Sequence, residues 1–209
     1  ADRASNDGAT PLWMASQNGH VDVVKVLLQH KANVDLANNN GTTPLLMASQ
    51  EGHVDVVKVL LQHKANVDLA RNDGATPLVM ASQNGHVEVV QAVLAENATV
   101  DLLVGWGTAL ARASALGHLK VVKALVKEGN ADVDLPLDDG MTTALWAAFR
   151  GNSKMLKYLL PLSKMSEVEV GERLTPELRA KLKLKHCSGC GGLKLKLKVC
   201  ARCGSERYW

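Results

Sequence analysis

The chain's four cysteines form two C-x-x-C pairs separated by nine residues. A C-x-x-C pair presents two thiolates to one ion, and four thiolates are a common ligand set of structural Zn²⁺. The sequence therefore predicts a zinc site formed by Cys187, Cys190, Cys200 and Cys203. A redox or disulfide role of the pairs is the alternative, but no βαβ pattern of a thioredoxin-like fold surrounds them.

The segment between the two cysteine pairs has the pattern of a strand. After two glycines, leucine and lysine alternate from Leu193 to Val199, which gives one apolar and one basic face. So short a segment cannot bury enough surface to fold unaided. Zinc binding, worth about 10–16 kcal/mol in finger peptides, would offset the cost of ordering it.

Residues 161–186 read as a linker that precedes the cysteines. Within it, Thr175 and Pro176 form a helix start signal, which predicts a short helix that ends at about Lys183. The stretch KLKLK also alternates, so a strand from Lys181 is the alternative interpretation.

The rest of the chain is organised by a repeat of about 33 residues, which is the signature of a stacked array. The first two copies match at 28 of 33 positions. Later copies diverge progressively, and the third is one residue short while the fourth is one residue long. We place the five copies at residues 8–40, 41–73, 74–105, 106–139 and 140–161.

Each copy has the pattern of two short helices. In the first, Thr10 is a good N-cap, Pro11 occupies the first helical position, and Gly19 suits the helix end. Residues 21–30 then carry apolar side chains at helical spacing. Neither helix is long enough to be stable alone, so the copies are expected to stack into an all-α fold with a continuous core.

The pattern G-x-T-P-L-x-x-A-S-x-x-G-H-x-x-V-V-x-x-L-L resembles the ankyrin repeat. The resemblance implies an ankyrin-repeat solenoid over residues 1–160 that binds a partner protein through turn tips and first helices on a concave face. Lys31 and Lys64 depart from the pattern, because the family has glycine there, and they place a non-glycine residue in the turn at some cost. Arg112 replaces a methionine at a position that we expect to be largely buried.

The differences between the first two copies suggest where a partner binds. All five lie in the turn or around the first helix, and none lies in the second helix. A recent duplication with few substitutions is the alternative explanation. Trp13 is the best anchor candidate, since exposed aromatic residues often dominate interfaces. The candidate protein-binding residues are Trp13, Asn18, Asn38, Leu46, Glu51, Arg71 and Val79.

Other polar residues recur once per copy and are interpreted as structural. The histidines His20, His53, His86 and His118 lie one repeat apart, too far for a shared metal ion. The aspartates Asp35, Asp68, Asp101 and Asp134 recur in the turns. No nucleotide-binding, metalloprotease or hydrolase motif is present. We therefore expect no catalytic residues and no enzymatic activity.

The cysteine segment also resembles a known module. The run C-x2-C-x9-C-x2-C-x4-Y at residues 187–208 is similar to the start of a MYND-type zinc finger. That family binds two zinc ions in a cross-braced way and docks proline-containing peptides. Its next ligand would fall at Trp209, so we expect a partial finger over 187–209. Either the four thiolates hold a single zinc ion, or this chain binds none.

Charge divides the chain in two. Residues 1–160 carry 13 basic and 16 acidic side chains, whereas residues 161–209 carry 11 and 5. We expect a non-enzymatic adaptor that binds protein through the repeats and uses the finger for a second contact. The alternative is a zinc-stabilised, basic-tailed regulator associated with nucleic acid. We do not expect specific readout of a nucleic-acid sequence, because no aromatic stacking series accompanies the lysines.

The sequence also bears on where the protein works. No apolar run reaches the length of about 18 residues that a membrane span needs, so no membrane partner is expected. Cysteines that occur only as C-x-x-C pairs are typical of a reducing compartment. We therefore expect an intracellular protein of the cytoplasm or nucleus.

Overall fold

The computed structural model describes residues 2–105, 107–137 and 140–164, together with two short strands further on. It divides into two compact units, residues 1–131 and 132–209, each of which is described by itself. Among the described residues, no helix is long and apolar enough to cross a lipid bilayer.

The first unit consists of four helix pairs, one for each of the first four sequence repeats. Each first helix packs against its own second helix, and consecutive first helices of this unit pack against one another. The helices are α1 (Pro11–Gln17), α2 (Val21–Gln29), α3 (Pro44–Glu51), α4 (Val54–Gln62), α5 (Pro77–Asn84), α6 (Val87–Ala95), α7 (Ala109–Ala115) and α8 (Leu119–Lys127).

The predicted helix start is confirmed in every pair. The hydroxyl of Thr10 accepts a hydrogen bond from the backbone N–H of Trp13 at 3.1 Å. Thr43, Thr76 and Thr108 make the same bond at 3.2 to 3.4 Å. These bonds satisfy amides that have no partner inside the helix, so the threonine stabilises each first helix at its start.

The core of the first unit lies between the paired helices and between consecutive pairs. It is aliphatic and continuous, as the stacking of short amphipathic helices requires. One leucine of each first helix is almost completely buried in it: Leu12, Leu45, Leu78 and Leu110.

The turn after the second helix requires a left-handed residue. Lys31 and Lys64 adopt φ of 58° and 63° there, and Asn97 and Asn130 adopt 60° and 52°. The prediction that a lysine occupies this conformation is confirmed. Asparagine tolerates the left-handed region, whereas lysine gains no compensating local hydrogen bond in it.

The second unit contains a fifth helix pair, α9 (Thr143–Phe149) and α10 (Ser153–Leu159), which pack against each other. A single 3₁₀ turn, Leu160–Leu162, follows α10. Further along, β1 (Lys185–His186) pairs antiparallel with β2 (Leu193–Lys194). The strand expected from Leu193 is present at its first two residues, and the expected linker helix near Thr175 lies outside the described residues.

Candidate protein-binding surface

The seven residues predicted to bind a partner do not form one exposed surface. Three are buried in the core, two are half-buried in the turns, and two are exposed. The buried ones are Trp13, Leu46 and Val79, the half-buried ones are Asn38 and Arg71, and the exposed ones are Asn18 and Glu51.

Trp13 packs into the contact between the first two repeats. Its side chain is only 9% exposed and lies in a cluster with Ala9 and Met47. Leu46 makes the same kind of cluster with the next repeat. The expectation of an exposed aromatic anchor at Trp13 is therefore wrong. Residue 13 faces the following repeat, which covers its side chain. The sequence pattern within one helix does not reveal this contact.

Asn38 stabilises its own turn. Its side-chain oxygen accepts hydrogen bonds from the backbone N–H groups of Asn40 and Thr42, at 3.1 and 2.9 Å. These bonds go to amides two and four residues later in the chain, and they take the place of backbone hydrogen bonds in the turn. Asn38 therefore has a structural role in its own turn.

Arg71, one repeat later, cannot accept these bonds, and Asp73 accepts one of them instead. The Asp73 carboxylate accepts from the backbone N–H of Ala75 at 3.2 Å and binds the Arg71 guanidinium through two bonds of 2.9 and 2.6 Å. The bond from Arg71 is the main reason that the pKa of Asp73 lies below its usual value. Two of the five differences between the first repeats therefore compensate each other within the turn.

The exposed candidates belong to a row at the ends of the first helices. Asn84 and Leu116 occupy the same repeat position in the third and fourth repeats and are also exposed, so extending the sequence comparison beyond two repeats would have found them. The side-chain amide of Asn84 donates to the Gln50 carbonyl at 2.8 Å, which ties neighbouring repeats together here. We call this set the first-helix row: Asn18, Glu51, Asn84 and Leu116.

The methionine position next to Trp13 depends on its neighbours. Met47 and Met80 are buried as expected, but Met14 is 51% exposed, because no described helix precedes α1. At the same position Arg112 is half-buried, and its Nε and Nη2 both donate to the side-chain oxygen of Gln83, at 3.2 and 2.8 Å. A guanidinium is therefore accommodated where the first three repeats carry a methionine.

The repeating histidines bind the preceding repeat, which confirms their structural interpretation. The Nε2 of His53 donates to the Gln17 carbonyl at 2.9 Å, and that of His86 donates to the Gln50 carbonyl at 3.0 Å. These carbonyls lie at the ends of first helices, where acceptors lack partners. Each ring thus connects two consecutive repeats.

The repeating aspartates also connect consecutive repeats. Asp35 accepts from the backbone N–H of Asn66 at 3.0 Å, and Asp68 accepts from the backbone and hydroxyl of Thr99, at 3.0 and 2.7 Å. In the second unit Asp134 accepts from the backbone N–H of Lys164 at 2.8 Å. The structural interpretation of these three aspartates is confirmed.

The predicted zinc ligands lie outside the described residues, as Cys187, Cys190, Cys200 and Cys203 all do. Within the described part of the chain, no group of three or more potential ligands could hold a metal ion. The paired strands flank the first C-x-x-C, since His186 lies opposite Leu193 across the connection 187–192. The donor set itself, four thiolates, suits zinc.

A model of ankyrin repeats, built from three copies, matches overlapping segments at residues 1–71, 32–103, 63–136 and 99–172. The chain belongs to the ankyrin-repeat family. No curated protein matches it. Membership indicates a protein-interaction module and agrees with the helix pairs described above. The matched segments end at residue 172, and the MYND-type resemblance of the cysteine segment has no support from these comparisons, so it stays a prediction.

Proposed function

We propose that this ankyrin-repeat chain is a non-enzymatic adaptor of the cytoplasm or nucleus. It binds a partner protein through the first-helix row and the adjoining turns of residues 1–131, which is the side that the family's concave face would present. Asn18, Glu51, Asn84 and Leu116 supply side chains of different charge and polarity at one repeat position.

The observation that carries this proposal is the contrast between the row and the layer directly beneath it. The row varies in chemistry from repeat to repeat, while the buried pair that precedes it is Ala–Ser in all four repeats: Ala15–Ser16, Ala48–Ser49, Ala81–Ser82 and Ala113–Ser114. A constant support with a variable exposed layer is what a repeat scaffold needs, because contacts can then change without a change in packing.

The cysteine segment supplies a second contact in this proposal. Cys187, Cys190, Cys200 and Cys203 would hold zinc as thiolates, and the bound ion would supply the folding free energy that so short a segment lacks. The alternative regulator associated with nucleic acid rests on Lys194, Lys196 and Lys198 between the cysteine pairs. Steep loss of binding with salt would distinguish it from a protein adaptor.

The test compares two variants of equal charge change. Asn18→Lys, Glu51→Lys and Asn84→Lys together add four positive charges to the first-helix row. Asp55→Lys and Glu88→Lys add the same four charges to the exposed starts of α4 and α6. Proximity labelling in cells marks the proteins that lie next to the chain. Labelling of the partner should be lost with the first variant and kept with the second. Equal loss with both variants, or retention with both, would reject the first-helix row as the binding surface.

A further inference from the structure

The fifth repeat carries an aromatic and cationic cluster that the sequence patterns did not point to. The rings of Trp146 and Phe149 meet edge to face, with centroids 5.7 Å apart and an angle of 82° between planes. The guanidinium of Arg150 lies 5.8 Å from the centre of the Trp146 ring. Phe149 is 58% exposed, and Arg150 is also exposed. The three side chains therefore form a supported surface rather than isolated exposed groups.

Phe149 replaces a polar residue of the first three repeats. Where the fifth repeat has Phe149, the first three have Gln17, Gln50 and Gln83, and Phe149 is the chain's single phenylalanine. Burial is what makes an aromatic side chain stabilising. A phenylalanine that is more than half exposed contributes little of this burial free energy to the fold. Packing therefore does not explain why phenylalanine occupies the position.

The helix pair that carries the cluster is rich in cations, whereas acidic residues precede it in sequence, and one of them, Asp134, binds the backbone of Lys164. Residues 140–164 contain four cationic side chains and no acidic one, and all four cations are exposed: Arg150, Lys154, Lys157 and Lys164. Lys154 lies in the first turn of α10, where the first three repeats have an aspartate or glutamate and the fourth has Lys120. A cation there is opposed by the helix dipole. Helix stability therefore favours the acidic residue and does not account for Lys154.

We propose that Phe149, Arg150 and Lys154 form a docking site for an acidic peptide segment that carries an apolar side chain. The apolar side chain packs against the exposed ring of Phe149, and excluding water from that contact supplies most of the affinity. The carboxylates of the peptide bind Arg150 and Lys154. Stacking on the Trp146 ring holds the Arg150 guanidinium in place. All three residues belong to the second unit, where Arg150 holds the repeat position that the first-helix row holds in the first unit.

The chemistry favours a peptide over nucleic acid. Nucleic acids without a specific sequence are bound by a series of aromatic side chains that stack on successive bases. The cluster offers one exposed phenylalanine, and the Trp146 ring is occupied by Phe149 and Arg150. One apolar anchor next to a few cations is complementary to an acidic segment with one apolar residue.

The test measures binding of labelled peptides to the full chain by fluorescence anisotropy. The probe is a glutamate-rich peptide with one central phenylalanine, and the comparison probes are the same peptide with serine in its place and a short polythymidine strand. We expect the phenylalanine peptide to bind best. Absence of binding, or equal binding of the serine peptide or of polythymidine, would overturn the proposal.

Three variants separate the contributions. Phe149→Gln, which restores the residue of the first three repeats, should weaken binding about tenfold or more and leave its salt dependence in place. Lys154→Glu should weaken binding and flatten the salt dependence, yet leave the melting temperature unchanged or higher because it restores the acidic residue. Lys58→Glu, an exposed change of equal charge on α4, is the control. An effect of Lys58→Glu as large as that of Lys154→Glu would show that only net charge matters and would contradict the site.

Discussion

The imidazole of His86 lies directly against Gly52. A Cβ atom added to Gly52 would stand 2.6 Å from the ring, closer than real contacts allow, and Gly52 itself has φ of +81°. The Nε2 atom of the same ring donates a hydrogen bond to the Gln50 carbonyl, which fixes the position of the ring. The same closeness occurs between Gly19 and His53 and between Gly85 and His118. A glycine is thus required by the neighbouring repeat as well as by the backbone.

Gly52→Ala should lower the free energy of unfolding more than Gly151→Ala does. Gly151 occupies the same position in the fifth repeat, with φ of +68°, but nothing lies within 4 Å of the added methyl group. Its substitution should therefore cost only the left-handed strain of about 1–2 kcal/mol. Gly52→Ala adds a collision worth about 1–3 kcal/mol more. Urea denaturation of both variants measures the difference, and equal destabilisation would mean that His86 moves aside freely.

Lys31→Gly and Lys64→Gly should each stabilise the protein by about 0.5–1 kcal/mol. Both lysines adopt a left-handed conformation that costs a residue with a side chain about 1–2 kcal/mol. Glycine avoids this strain but loses more conformational entropy on folding, so the net gain is smaller than the strain itself. Asn97→Gly is the matched control, because asparagine already tolerates its φ of 60°. The urea midpoint should rise for the two lysine variants and stay nearly unchanged for the asparagine variant. A lower midpoint for Lys31→Gly or Lys64→Gly would contradict the strain argument.

The helix pairs could be predicted from sequence because their signals are local. A threonine followed by proline, such as Thr10 and Pro11, favours a helix start through contacts close in sequence. The hydrogen bond from the Trp13 amide to Thr10 forms within one turn. Exposure could not be predicted in this way. Met14 and Met47 occupy the same repeat position, yet one is half exposed and the other buried, because only Met47 has a described helix on both sides.

The candidate surface was harder to predict for a related reason. A substitution between repeats shows where the chain tolerates change, but a buried position also tolerates change when its neighbours adapt, as Leu46 does in place of Trp13. Asn38 and Arg71 differ because each turn has its own cap. Asn40 and Asp73 vary on the outside but belong to the same turns, which leaves Asn18 and Glu51 as the exposed difference at the helix ends. Their exposure follows from the packing of consecutive repeats, which the sequence does not show directly.

Asp68→Ala should destabilise the protein by about 1 kcal/mol, because Asp68 accepts two hydrogen bonds from Thr99 across the repeat boundary. The matched control is Asp22→Ala. Asp22 is an exposed aspartate that forms an ion pair with Lys25 at 3.7 Å, and exposed pairs of this kind contribute about 0–1 kcal/mol. Equal effects of the two substitutions in thermal unfolding would show that the link to Thr99 adds nothing to stability.

The Arg71–Asp73 pair should make stability depend on pH. The pKa of Asp73 is lower in the folded protein than in the unfolded chain, so the unfolded state binds more protons at acidic pH. The contribution of the pair is therefore complete above the ordinary aspartate pKa of about 4 and is lost as pH falls through the lowered value. Because the pair is partly exposed to solvent, we expect only about 0.2–1 kcal/mol.

The measurement for this pair is urea unfolding between neutral and strongly acidic pH. The double variant Arg71→Asn, Asp73→Asn carries the asparagines of the first repeat, where Asn38 caps the turn without titrating. It should lose less stability on acidification than the unmodified chain does. Parallel pH profiles of the two proteins would show that Asp73 is not protonated more readily on unfolding.

The full chain, reduced and analysed by native mass spectrometry, should carry one zinc ion that Cys200→Ser removes. Four thiolates can complete a tetrahedral site, and the pairing of Lys185 with Lys194 brings together the backbone on both sides of the first C-x-x-C. Cys200→Ser leaves three thiolates, and a structural zinc site needs four protein ligands, so the variant should not retain the ion. Chelation should leave the ankyrin helices intact, since they lie in a separate part of the sequence. A chain free of zinc in the presence of excess metal would reject the zinc site and leave protein binding to the repeats.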